Sequence, residues 1–262
     1  MSTTPDDDAT TGLPARGVFV SFEGGDGSGK STQSRLLGEW LEQAFGREVV
    51  RTREPGGTQL GRTMRELVLH GEDVDPRTEV LLYLTDRAHH VTSLVRPALE
   101  RGAVVITDRY LDSSLAYQAG GRELDLARLR DMQLWAVDGL LPDVTILLDL
   151  DPALLPQRLS ATGLAPDRLE RSGEQFHRRT REAYLALAAA EPERWRVLDA
   201  SAGIEEIAEQ VRAAVAPLLD RARARASGAA GDPVDGAGGG TGGETGAAPR
   251  PGRRLDASAV AP

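Results

Sequence analysis

A short apolar run leads directly into Gly24-Gly25-Asp26-Gly27-Ser28-Gly29-Lys30-Ser31-Thr32, and no other feature constrains the chain as tightly. The segment fits G-x-x-x-x-G-K-[ST], with a strand-like pattern before it and a helical pattern after it. Glycines let successive backbone N–H groups turn inward around phosphate oxygens. The positive end of the following helix dipole points at the same place. Lys30 then adds a mobile charge for the β- and γ-phosphates, and the Ser31 hydroxyl is a ligand for Mg²⁺. The loop predicts binding of a nucleoside triphosphate. It does not separate a kinase from a switch or a motor.

Apolar, β-branched runs recur at residues 18–22, 48–52, 103–107, 144–150 and 195–198. Most are nearly continuous rather than alternating, as in strands covered on both faces. Helical patterns lie between them, at 30–44, 59–69, 77–100, 125–137, 174–190 and 204–221. Strands alternating with helices predict one doubly wound α/β domain over 17–225, with ligands at the carboxyl ends of parallel strands. Residues 1–16 read as a polar, acidic arm. Residues 226–262, almost entirely Gly, Ala, Pro, Asp and Arg, have too little apolar surface to offset their chain entropy and read as an unfolded tail.

Composition narrows the classes of function. The 262 residues carry 31 Lys+Arg against 40 Asp+Glu, a formal charge of −9. A sequence-independent nucleic-acid binder needs the opposite sign. Zero cysteines exclude disulfides, zinc–thiolate sites and thiol nucleophiles. No run approaches the roughly 18 apolar residues of a membrane span. The first residues carry aspartates where a secretory signal has Lys or Arg. A cytoplasmic protein with no membrane or nucleic-acid partner is expected.

Three further clusters describe a second substrate. Thr52-Arg53-Glu54-Pro55-Gly56-Gly57-Thr58 closes the second strand as a shaped loop and delivers Arg53 to the ligand edge. Asp108-Arg109-Tyr110 closes the third. A carboxylate there suits a metal-associated role, and Arg109 suits bidentate pairing with a phosphate. Helical spacing then gathers Ser114, Tyr117 and Gln118 on one face, which supplies groups able to read a base and a sugar. Tyr83 and Arg87, four apart on the 77–100 pattern, can stack on and hydrogen-bond a planar base.

Taken in order, G-x-D-G-S-G-K-S-T, T-R-E-P-G-G-T, D-R-A-H-H-V, D-R-Y-x-D-S-S-x-A-Y-Q and L-D-L-D-P resemble the bacterial thymidylate kinases over about residues 18–219. The resemblance implies a P-loop kinase three-layer sandwich, a five-stranded parallel sheet in the order 2-3-1-4-5, and a homodimer that phosphorylates dTMP with ATP and Mg²⁺. It implies that Lys30 and its backbone neighbours hold ATP, that Ser31 and Asp108 attend the metal, and that Asp26 lies near the dTMP sugar and phosphate. Arg53 and Arg109 match the arginines on the dTMP phosphate. Arg87 matches the position that bonds the thymine, Ser114 the one facing its N3, and Tyr117 the one packed on the deoxyribose. Gln118 is a pocket neighbour.

Some positions depart from that pattern. Gly27 stands where some members carry an arginine inside the phosphate loop, and the expected lid (158–171) has Ser-Ala-Thr-Gly in place of a basic stretch. The transition-state arginine therefore falls to Arg158 or Arg168, with Arg171 third. Tyr83 replaces a common phenylalanine. His89 replaces a glutamine and is expected on a solvated helix face. Alternatives are another deoxynucleotide or deoxynucleoside kinase of this fold, or a weakly catalytic nucleotide-binding regulator. A GTPase switch would need N-K-x-D, which does not occur.

Overall fold

The central strands of the sheet arise from apolar runs, and backbone pairing carries some strands one residue further, onto a polar side chain. In the computed structural model, which describes residues 17–121, 124–160 and 173–228, β1 is Phe19–Glu23, β2 Val49–Arg53, β3 Val104–Asp108, β4 Val144–Asp149 and β5 Trp195–Asp199. All pairings are parallel and the order is β2-β3-β1-β4-β5, as expected. The register sets Arg53 opposite Asp108 and Asp108 opposite Phe22, so the functional ends of β2, β3 and β1 share one edge.

Helices cover both faces. They are α1 (Lys30–Phe45), α2 (Gln59–His70), α3 (Pro76–His90), α4 (Arg96–Glu100), α5 (Leu111–Ser114), α6 (Leu126–Ala136), α7 (Leu155–Ser160), α8 (Glu174–Ala190) and α9 (Ile204–Gly228). Val18, just before β1, and Val20 and Phe22 within it join the core beneath α1 and α9 with Leu37, Leu41, Val211 and Val215. Phe19 joins the opposite core with Val91, Val95 and Leu111. This period-2 division, apolar on both sides, is what a buried parallel strand requires. A third cluster (Tyr83, Tyr117, Phe176, Tyr184, Trp195) packs under the ligand edge.

The expected helix at 77–100 is divided. Between α3 and α4 the chain takes a wider π turn, Val91–Val95, just ahead of Pro97, which has no N–H to give to the turn before it. A second π turn, Leu115–Gly121, extends α5. Asp75 and Asp125 cap α3 and α6 through the Arg77 and Arg128 amides, as short acceptors do at helix starts. Helix α9 continues to Gly228, past the expected domain limit at 225. The arm 1–16, most of the expected tail and lid residues 161–171 lie outside the described residues.

Candidate active site

The phosphate loop is shaped by its glycines. Gly29 caps α1 with φ 96°, and Gly24 has φ 134°. A Cβ on Gly24 would sit 2.5 Å from the Leu148 carbonyl oxygen, so both sites exclude a side chain on conformational or steric grounds. Lys30 is buried, and its Nζ donates to the carbonyls of Gly24 (3.2 Å) and Gly25 (2.8 Å), with Asp26 4.0 Å away. Burial and the Arg109 charge lower the Lys30 pKa; the facing carboxylates only partly offset them. Ser31 Oγ donates to Asp108 Oδ2 at 2.8 Å, so the two residues expected to attend a metal meet through a hydroxyl and a carboxylate oxygen.

Beside the loop lies a pocket. Asp26, Tyr83, Arg87, Arg109, Ser114, Tyr117 and Gln118 all line it, which brings together residues drawn from four separate sequence clusters. Arg109 is its hub and adopts φ 71°, uncommon for a residue with a side chain. Its Nη2 donates to Asp26 Oδ1 (2.5 Å) and the Tyr117 hydroxyl (3.1 Å). Its Nη1 donates to Ser113 Oγ (3.1 Å) and the Tyr184 hydroxyl (3.3 Å). Burial would raise the Asp26 pKa, but the charges of Arg109 and Lys30 outweigh it and hold that carboxyl at about 2.

Arg87 is held from every side. Nε donates to Glu54 Oε2 (2.7 Å), Nη1 to Ser114 Oγ (3.0 Å) and to Gln133 Oε1, and Nη2 to the Tyr110 carbonyl (3.0 Å). A guanidinium has five N–H groups, so one Nη2 hydrogen is left for a ligand. The other oxygen of Glu54 pairs with His90 Nδ1 at 2.7 Å, and His90 Nε2 meets Thr52 Oγ1 at 2.7 Å. Burial would raise the Glu54 pKa, but Arg87 and His90 hold it below the ordinary value. Its charge in turn helps burial push neighbouring Asp86 up to about 6. Gln118 donates to Glu79 Oε1 (2.9 Å) and keeps its own Oε1 without a hydrogen-bond partner among the described residues.

Not every expected residue joins the pocket. Arg53 ends β2 exposed and is not among the lining residues. Arg158, on exposed α7, donates to the Ala200 carbonyl at 3.0 Å. Arg168 and Arg171 lie outside the described residues. His89 is exposed, as expected, whereas its neighbour His90 is fully buried. The sequence reading assigned no role to several participants: Glu23 beneath Arg109, Ser113 and Tyr184 between them, Arg65 on the pocket wall, and Gln133 behind Arg87. Glu23 directly follows the apolar run 18–22, and one acidic residue closing a largely apolar strand was the available signal.

Comparison with known proteins bears on what this geometry serves. A family model described as Thymidylate kinase matches residues 22–211. The chain is 60% identical over 204 residues to a protein named Thymidylate kinase from Clavibacter sepedonicus, spanning 78% of this chain and 96% of that one. It is 49% identical over 207 residues to a Thymidylate kinase from Cutibacterium acnes, spanning 78% and 99%. The crystal structure of thymidylate kinase from Ehrlichia chaffeensis superposes with a TM-score of 0.65 at 30% identity, over 76% of this chain and 98% of that one.

Proposed function

This chain belongs to the thymidylate kinase family, and from that premise we propose how its residues share the transfer of a phosphoryl group from ATP to dTMP. One observation carries the assignment: Arg109 of the pocket and Asp26 of the phosphate loop meet at 2.5 Å, so the two nucleotide sites share a boundary. Transfer between bound phosphates is chiefly positioning and charge neutralisation. The acceptor is already an anion near neutral pH, so no strong general base is needed.

On the donor side, phosphate oxygens replace the Gly24 and Gly25 carbonyls as acceptors for Lys30, because anionic acceptors make the stronger bond. Ser31 and Asp108 would hold Mg²⁺. Hydroxyl and carboxylate oxygens 2.8 Å apart are the hard donors that this ion takes. Bound there, the metal would supply neutralisation of phosphate oxygens. On the acceptor side, Arg109 grips the dTMP phosphate, with Arg53 approaching from the end of β2. Tyr83 stacks on the base and Tyr117 packs against the deoxyribose. The remaining Arg87 hydrogen donates to a thymine carbonyl, while Ser114 and the unmatched Gln118 oxygen face N3–H.

Arg158 and Arg168 supply the lid cation, and Arg158 must leave the Ala200 carbonyl to do so. A homodimer is supported by apolar side chains exposed on α2, α3 and α6: Leu67, Leu81 and Trp135, the last 82% exposed. The absence of cysteine is consistent with a cytoplasmic setting. The test is ADP release measured across the common dNMPs, dUMP and UMP, repeated with Arg158→Ala and Arg168→Ala. Expected are a clear preference for dTMP, slower turnover of dUMP because one methyl is worth about 1–3 kcal/mol, and a kcat loss in either lid variant. Equal kcat/KM for dUMP and dTMP would remove the base assignment. Unchanged kcat in both variants would remove the lid assignment.

A further inference from the structure

Glu23, the last residue of β1, is fully buried and has no part in the assignment above. Its Oε1 accepts the Tyr110 amide at 2.8 Å. Its Oε2 lies 2.5 Å from the Ser113 hydroxyl oxygen and 3.0 Å from that of Tyr184, and these two hydroxyl oxygens are 2.9 Å apart. The three oxygens form a triangle with every edge short enough for a hydrogen bond. Each hydroxyl carries one proton and an ionised carboxylate none, so Ser113 and Tyr184 can fill only two edges. The third would set lone pair against lone pair in a buried site. One proton on Oε2 closes the ring: Glu23 donates to Tyr184, Tyr184 to Ser113, and Ser113 to Glu23. Both hydroxyl oxygens then still have a lone pair for Arg109 Nη1.

We propose that Glu23 is a positioning residue for Arg109: protonated, it completes the hydroxyl ring that seats the guanidinium and leaves that positive charge to the acceptor phosphate. The proposal rests on the assignment of Arg109 to the dTMP phosphate made above. Ionised, Glu23 would be a second buried anion competing with that phosphate. The groups facing it are Asp112 of α5 (itself paired with Arg194), which repels its charge, and Arg109 and Lys30, which attract it. Burial first and Asp112 second raise the carboxyl to about 7, against the lowering effects of Ser113, Arg109 and the Tyr110 amide. Asp26, the other carboxylate on Arg109, is held at about 2 and stays ionised throughout. An incoming phosphate disfavours an ionised Glu23. Linkage therefore requires dTMP affinity to fall as pH rises through about 7.

The experiment measures kcat and dTMP KM for the wild type and Glu23→Gln at about pH 6 and about pH 8.5, which bracket the transition. The dTMP phosphate titrates in both proteins. The ratio of the two KM values therefore isolates Glu23. We expect the wild-type-to-variant KM ratio to rise at least about threefold over that span, with a flat kcat ratio. A KM ratio indifferent to pH, or a change confined to kcat, overturns the proposal. Should Glu23→Gln fail to fold, Asp112→Asn replaces it. Without the repelling charge Glu23 ionises more readily, so the rise in KM moves to lower pH, and an unmoved rise is contrary. Arg109→Ala tests the underlying assignment separately. An unchanged dTMP KM there removes Arg109 from the acceptor site. A raised KM there, with an intact pH response in Glu23→Gln, removes Glu23 alone.

Discussion

The phosphate loop and the acceptor pocket share one edge of the sheet but are built in different ways. The loop is backbone: glycine conformations and a helix start shape it, and Lys30 reaches partners only five and six residues away. The pocket is made of side chains. Arg87 alone ties together groups 33, 27, 46 and 23 positions distant in sequence. A locally made site can lose its key side chain and keep its shape. One made by buried charges across the fold stands or falls with its network.

The largest expected effect tests that contrast directly. Arg87→Ala leaves Glu54 buried without its main partner, at a cost of about 3–5 kcal/mol of stability in urea unfolding. Lys30→Ala should cost far less, and equal destabilisation by the two would erase the distinction. Next in size, Lys30→Ala should lower kcat by about 10²–10³, or ~3–4 kcal/mol, with dTMP KM close to wild type. A rise in dTMP KM as large as the fall in kcat would place Lys30 in the pocket instead. Asp26 joins the two regions and predicts a pH effect. Its folded pKa of about 2 lies below the ordinary 3.8, so its contribution is present above about pH 4 and lost as pH falls toward about 2. The loss is about 2 kcal/mol, and Asp26→Asn should flatten that limb of an acid-unfolding curve. The smallest effect is that of Gly29→Ala, which forces a side chain to φ 96° and should cost about 1–2 kcal/mol. It should show as weaker ATP binding with dTMP binding retained, and an equal loss for both nucleotides would mean that the loop also shapes the pocket.

Legibility followed the same division. The helix starts, the strand positions and the phosphate loop were readable because each depends on neighbours in sequence: a cap, an apolar run, a glycine at the right step; the strand order came only through the family resemblance. The expected strands at 18–22, 48–52 and 103–107 stopped where the apolar pattern stopped. Backbone pairing ran on to Glu23, Arg53 and Asp108, the polar residues that the sheet delivers to its ligand edge.

By itself, then, the amino-acid order determined the sheet, the phosphate loop and which polar residues were candidates for the second substrate. Tertiary structure alone decided what those residues touch. It gave most of the Arg87 donors to protein acceptors, left Arg53 outside the pocket, and brought Glu23, Ser113 and Tyr184 together beneath Arg109. The reason is physical. Periodicity and turn chemistry act between residues close in the chain, whereas a buried charge takes its partners from wherever the folded chain supplies them.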